Sequence, residues 1–224
     1  MPFIARTHQL KRSLLYHIFN RGNAKNDIFH KIEDYQYFIG LLSSYSAKHK
    51  FLIYHWVLMP NHYHIVLEIE EPTKISSVMA GIARAYVHYH HKKYESAGYL
   101  WQGRFKSQPI QKETYLAACG RYVERNPVQA NLTIRAWEYP YSSAAYYVLG
   151  KDDGLTVESP LFNSFGVQPQ DRKEKYKEYL EAFNAEEVNL FENLEFPQGS
   201  EEFLKRLLKE KGLFIPRRQG RILK

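Results

Sequence analysis

Two apolar runs, Leu52 to Met59 and His62 to Ile69, stand on either side of the turn Pro60-Asn61, and no other stretch constrains the fold as firmly. Runs of this length bounded by turn residues form strands, and a link this short folds them back on each other as a β-hairpin. The first run is apolar on both faces and predicts a buried central strand. The second opens with His62-Tyr63-His64. Residues two apart on a strand share a face, so both imidazoles point the same way and could grip one metal ion.

Ten histidines in one chain make an incidental His-x-His easy to produce, so this pair has a packing reading as well as a ligand reading. His88 and His90 repeat the spacing in a different setting. They lie in the stretch from Ile75 to Tyr94, where Val78, Ile82, Ala85, Tyr86 and Tyr89 recur at helical intervals. Two helical residues in that relation are about 200° apart around the axis, so this second pair diverges.

The remaining elements follow from periodicity and turn signals. Leu14 to Phe19 predicts a first strand, closed by Asn20-Arg21-Gly22-Asn23. From Lys31 to Lys48, Ile32, Tyr35, Phe38, Ile39, Leu42 and Tyr45 form one apolar helical stripe. Tyr99 to Ile110 predicts another strand and Glu113 to Asn126 a helix that Pro127 should end. The order strand, helix, strand, strand, helix, strand, helix is that of a ferredoxin-like α+β layer, an antiparallel sheet with helices on one face. The pattern breaks near Gly150-Lys151-Asp152-Asp153-Gly154, which suggests a body over 1–150 and a mainly helical, basic extension over 151–224. In that extension Asp171 to Asn193 predicts one exposed helix, and Ser200 is placed to cap a second. Lys211 to Lys224 has five Lys or Arg and no acid.

Charge and composition narrow the partners. The formal net charge of +7 favours a polyanion, and Tyr and Phe interleaved with Lys and Arg suit single-stranded nucleic acid, whose bases stack on rings while its phosphates meet cations. No run approaches the roughly 18 apolar residues of a membrane span. The single Cys119 cannot form an internal disulfide, and a reducing, cytoplasmic setting fits.

Four segments together resemble a known family. Phe19-Asn20-Arg21-Gly22-Asn23, Met59-Pro60-Asn61-His62-Tyr63-His64, Trp101-Gln102-Gly103-Arg104-Phe105-Lys106-Ser107 and Arg121-Tyr122-Val123-Glu124-Arg125-Asn126-Pro127-Val128 are similar in order and spacing to the HUH single-tyrosine transposases of insertion sequences. The REP-associated tyrosine transposase branch is the nearer resemblance. It spans roughly residues 12 to 148 and does not reach the tail.

The resemblance implies a metal-dependent strand transferase acting on single-stranded DNA with hairpin or palindromic repeats, as a homodimer. His62 and His64 would hold Mg²⁺ or Mn²⁺ against the scissile phosphate, and Tyr122 would attack phosphorus to leave a 5′-phosphotyrosine. Imidazoles are borderline ligands for so hard a cation, so an oxygen ligand is needed. Asn126, one helical turn beyond Tyr122, is either that ligand or simply the residue that ends the helix before Pro127. Tyr115 lies on nearly the same face as Tyr122, and only the motif around Asn126-Pro127 separates them. Arg21, Arg104 and Lys106 are candidate phosphate contacts and Trp101 a candidate base-stacking ring. Other classes also fit the residues: a non-cleaving single-stranded nucleic-acid-binding protein, an HUH replication initiator or relaxase, and a metallohydrolase that releases its product to water.

Overall fold

A computed structural model describes residues 15–69, 74–182, 188, 191 and 199–203. Within them, β1 (Leu15–Arg21), α1 (Ile32–His49), β2 (Phe51–Met59), β3 (His62–Ile69), α2 (Ile75–Tyr94), β4 (Lys106–Ile110) and α3 (Lys112–Gln129) follow in chain order. Among the described residues two more helices follow, α4 (Ala144–Leu149) and α5 (Pro169–Glu181). The four strands form one antiparallel sheet in the order β2-β3-β1-β4, which is the ferredoxin-like arrangement.

Alternation along the strands decides what each face touches. Tyr16 and Ile18 of β1, with Tyr63, Ile65 and Leu67 of β3, join Phe38 and Leu42 of α1 and Val78, Ile82 and Tyr86 of α2 in one core. The intervening residues Leu15, Val66 and Ile110 pack on Leu116, Cys119 and Val123 of α3. So α1 and α2 share one face as expected, whereas α3 covers the opposite face instead of joining them. The reason is that β1 and β3 are apolar at alternate positions on both sides, and burying the second set needs a second layer.

β2 is as buried as its composition requires, yet it is an edge strand and not a central one. Its free edge is covered from within the chain. Leu58 N–H donates to the Tyr141 carbonyl, Ser143 N–H to that of Trp56 and Val157 N–H to that of Ile53, so the unpaired ladder is closed without a fifth strand. A bulge between Ile53 and His55 turns both Tyr54 and His55 toward α3.

Two boundaries and one buried position differ from the sequence reading. β4 begins only at Lys106, because residues 99–105 form an irregular segment pinned to β1 through Gln102 N–H and the Arg21 carbonyl. Ile32 is exposed although it falls on the stripe of α1, being the first helical residue and beyond the reach of the sheet. α3 continues through Pro127 to Gln129. Proline removes the N–H that would bond the Val123 carbonyl, and the side-chain amide of Asn126 substitutes for it, its Nδ2 donating to the Tyr122 carbonyl at 2.8 Å and to that of Val123 at 3.3 Å.

Residues from both sides of Gly150 share a third core, in which Ala136, Trp137 and Tyr147 meet Phe162, Tyr176 and Leu180. α5 covers part of the span from Asp171 to Asn193, and Ser200 Oγ accepts the Phe203 N–H as an N-cap should. The basic run from Lys211 to Lys224 lies outside the described residues.

Candidate active site

The cleft between β3, α3 and the 101–106 segment encloses about 540 Å³, and His62, His64, Tyr122, Asn126, Arg21, Arg104 and Lys106 all line it. They arrive on different elements. β3 presents His62 and His64 on its α3 face, their rings 5.1 Å apart between centroids. α3 sets the Tyr122 ring edge-on to His64 at 5.7 Å. Asn126 follows one turn later on the same face, and Phe191 packs against Tyr122 at 5.5 Å. Tyr115 packs at the margin of this core and is absent from the cleft lining.

His64 is buried and its Nδ1 lies 2.8 Å from Nε2 of His17, whose Nδ1 is 3.3 Å from Oε1 of Gln108. Burial pushes His17 down to about 4, only partly offset by Gln108. Burial, then the neighbouring rings of His17 and His62, holds His64 well below the ordinary histidine value. Both rings are therefore neutral at pH 7, the state in which an imidazole can ligate a metal.

His62 is arranged differently. Its Nδ1 lies 2.6 Å from Oδ1 of Asn61, an acceptor, so Nδ1 carries the hydrogen and Nε2 the lone pair. Burial lowers its pKa most, Arg21 adds to this, and Asn126 opposes both by stabilising the charged ring. With the amide nitrogen of Asn126 committed to its own helix, the group that faces His62 is the amide oxygen. That oxygen can accept from a protonated His62 ring or, with the ring neutral, offer a hard donor beside its nitrogen lone pair to a small divalent ion. The helix-ending role for Asn126 falls away, since the helix does not end there.

Other residues hold this constellation in place and were not singled out from sequence. Glu124 is fully buried on α3 and takes hydrogen bonds on both oxygens, from His55 (2.9 Å) and Ser143 (2.6 Å) on one and from Tyr176 (2.8 Å) on the other. It thereby ties the helix that carries Tyr122 to β2 and α5. Gly120 lets α3 come this close, because a Cβ there would stand 2.8 Å from the His55 ring. Arg121 and Arg125 donate to the last carbonyls of α5, at Tyr179, Leu180 and Glu181, where a cation is favoured by the helix dipole. His17 and Gln108 are invisible as a pair until strand register sets both on β1 and β4 side by side. The polar Gln and His inside apolar strands were the available signal.

Among the proposed DNA contacts, Arg21 donates to Gln102 Oε1 at 2.9 Å at the cleft wall, and Lys106 sits over the Phe19 ring at 5.7 Å. Trp101 is not with them. Its ring packs against Tyr63 and Tyr86 and its indole N–H donates to the Ala83 carbonyl, which makes it part of the α1/α2 core and not a platform in the cleft. No group of three or more His, Cys, Asp or Glu that could hold a metal occurs among the described residues, so the two imidazoles would need oxygen donors such as the Asn126 amide to hold a hard cation.

Residues 11–126 match the family model described as IS200-like transposase, and the chain belongs to that family. No curated protein matches it. Among solved structures, a REP-associated tyrosine transposase bound to a REP hairpin shares the fold with a TM-score of 0.56 at 18% identity, over 71% of this chain and 96% of that one. No helix among the described residues is long and apolar enough to cross a membrane.

Proposed function

We propose that this protein is a metal-dependent single-tyrosine transposase that cleaves and rejoins single-stranded DNA at hairpin-forming repeats. The observation that carries the reading is the convergence of His62, His64, Asn126 and Tyr122 on one cleft rimmed by Arg21, Arg104 and Lys106. The cations hold the phosphates flanking the break, and the imidazole nitrogens with the Asn126 oxygen form the seat for Mg²⁺ or Mn²⁺. When bound, that ion supplies Lewis-acid polarisation of the scissile phosphate and favours ionisation of the phenol.

Tyr122 Oη attacks phosphorus; the Oη–P bond forms as the P–O3′ bond breaks. The phenol proton leaves and the departing 3′-oxygen gains one, so the products are a 5′-phosphotyrosine and a free 3′-hydroxyl. The phosphodiester energy is kept in the adduct, and attack by a 3′-hydroxyl reverses the step to join strands. Glu124, Arg121 and Arg125 fix the helix from behind, which keeps the nucleophile within reach of the metal seat.

Mixing the protein with a hairpin-bearing single strand and Mn²⁺ should give a denaturant-resistant bond between Tyr122 and the 5′ end of the cut DNA. Tyr122→Phe should bind the strand normally and give neither adduct nor cut, while Tyr115→Phe keeps both. Cleavage that survives in Tyr122→Phe would make water the nucleophile, and binding without cleavage of any strand would leave a DNA-binding protein.

A further inference from the structure

His17 and Gln108 stand behind the cleft and take no part in the chemistry above, yet they determine which nitrogen of His64 is available to it. We infer that Gln108, His17 and His64 form a one-way hydrogen-bond relay that fixes His64 in its Nδ1-protonated form and so presents a bare Nε2 to the cation seat. The inference rests on the metal role proposed for His64.

The relay is read from its buried end. An amide oxygen only accepts, so Oε1 of Gln108 at 3.3 Å requires the hydrogen of His17 on Nδ1. A neutral imidazole has one such hydrogen, and Nε2 of His17 is therefore an acceptor. It lies 2.8 Å from Nδ1 of His64, which must then donate. Nε2 of His64 is left with its lone pair, and His64 borders the cleft while His17 does not. Reversing the polarity at Gln108 would reverse every bond and put an N–H of His64 toward the cation.

Packing alone does not account for an imidazole at position 17. Its neighbours are the rings of Phe19, Tyr122 and Phe191, which a phenyl ring would satisfy without the cost of burying two polar nitrogens. The register places His17 opposite Gln108 and Phe19 opposite His64, so β1 sets His17 diagonally between its two partners. His17 and Gln108 are positioning residues that act only through His64.

Two measurements on the full chain test this. In the metal-free protein, ¹⁵N NMR of the histidine rings should show the His64 proton on Nδ1. In Mn²⁺ titrations followed by electron paramagnetic resonance, His17→Phe should weaken binding about 10- to 100-fold, the usual consequence of removing a partner that orients a ligating imidazole. His17→Gln, whose amide oxygen can take the place of Nε2, should recover most of the loss. A His64 proton found on Nε2, or Mn²⁺ bound as tightly by His17→Phe as by the parent, would overturn the relay. A parent that binds no Mn²⁺ would instead remove the metal seat itself, and the position of the His64 proton would still decide the relay.

Discussion

Beneath α1 and α2, Asp34 accepts the N–H groups of His30 and Lys31, the hydroxyls of Tyr89 and Tyr94 and the ammonium of Lys93, while His90 meets His30 at 3.3 Å through their Nε2 atoms. Beneath α3, on the other side of the same strands, His62, His64, Tyr122 and Asn126 are also histidine, tyrosine and a polar partner, but they border a cleft. The contrast teaches that residue type does not make a site. A carboxylate on the first side draws the polar atoms into a closed knot, whereas on the second the donors are held from behind by Asn61, His17 and the helix itself, and their remaining lone pairs look outward.

The sharpest way to break this comparison is to remove one central side chain from each side. His64→Ala should bring cleavage below detection while single-strand binding, measured by fluorescence anisotropy, stays near the parent's. The corresponding change in the knot acts on stability instead. Asp34→Ala strands three hydroxyl and ammonium donors and two backbone N–H groups, and should cost about 3 kcal/mol of unfolding free energy with cleavage chemistry intact in the folded fraction.

Acid sharpens the same distinction. Burial alone would raise the Asp34 pKa, but Lys93, Tyr94 and the backbone N–H groups of Lys31 and His30 outweigh it and hold it well below the ordinary carboxylate value. A carboxyl more acidic when folded stabilises fully above its unfolded pKa near 4, and that contribution is lost as pH falls further. Melting temperatures taken from pH 5 down to pH 3 should fall in the parent and fall less in Asp34→Asn; equal slopes would remove Asp34 from the account.

Smaller effects follow. Asn126→Ala should raise the Mn²⁺ concentration for half-maximal cleavage roughly tenfold, because ligand number sets the affinity of such sites. A loss of stability with an unchanged metal requirement would confine Asn126 to its helix. His90→Ala, which removes a member of the knot and nothing at the cleft, should leave cleavage within a few-fold of the parent; an inactive variant would place catalysis on the wrong face. His88, exposed where His90 is buried, should be silent.

Much of this was legible in the chain. The hairpin, the extents of α1 and α2 and the shared face of His62 and His64 follow from periodicity, because each depends on neighbours in sequence. What escaped depends on distant ones. β2 looked central because its residues are apolar on both faces, and nothing local reveals that the segments around Tyr141 and Val157 close its edge. Pro127 marked a helix end by rule, and only the Asn126 side chain, bonding backward, lets the helix pass through it. Trp101 looked like a platform because indoles stack on bases, but three aromatic neighbours and a carbonyl had already engaged it. His17 needed the β1–β4 register before it had a partner at all.

The amide of Asn126 does two jobs with its two ends, and that limits what can replace it. Aspartate would offer the cation a better oxygen but has no N–H for the Tyr122 and Val123 carbonyls; alanine offers neither end. Position 126 is thus tied to position 127 by chemistry and not by contact with the substrate. Replacing Pro127 with alanine restores the missing backbone donor and releases Asn126 from its structural duty. A carboxylate at 126 should then be accommodated in the double variant far better than alone, so an evolutionary path to a more strongly binding metal seat in this protein passes through the loss of a proline that never touches the metal.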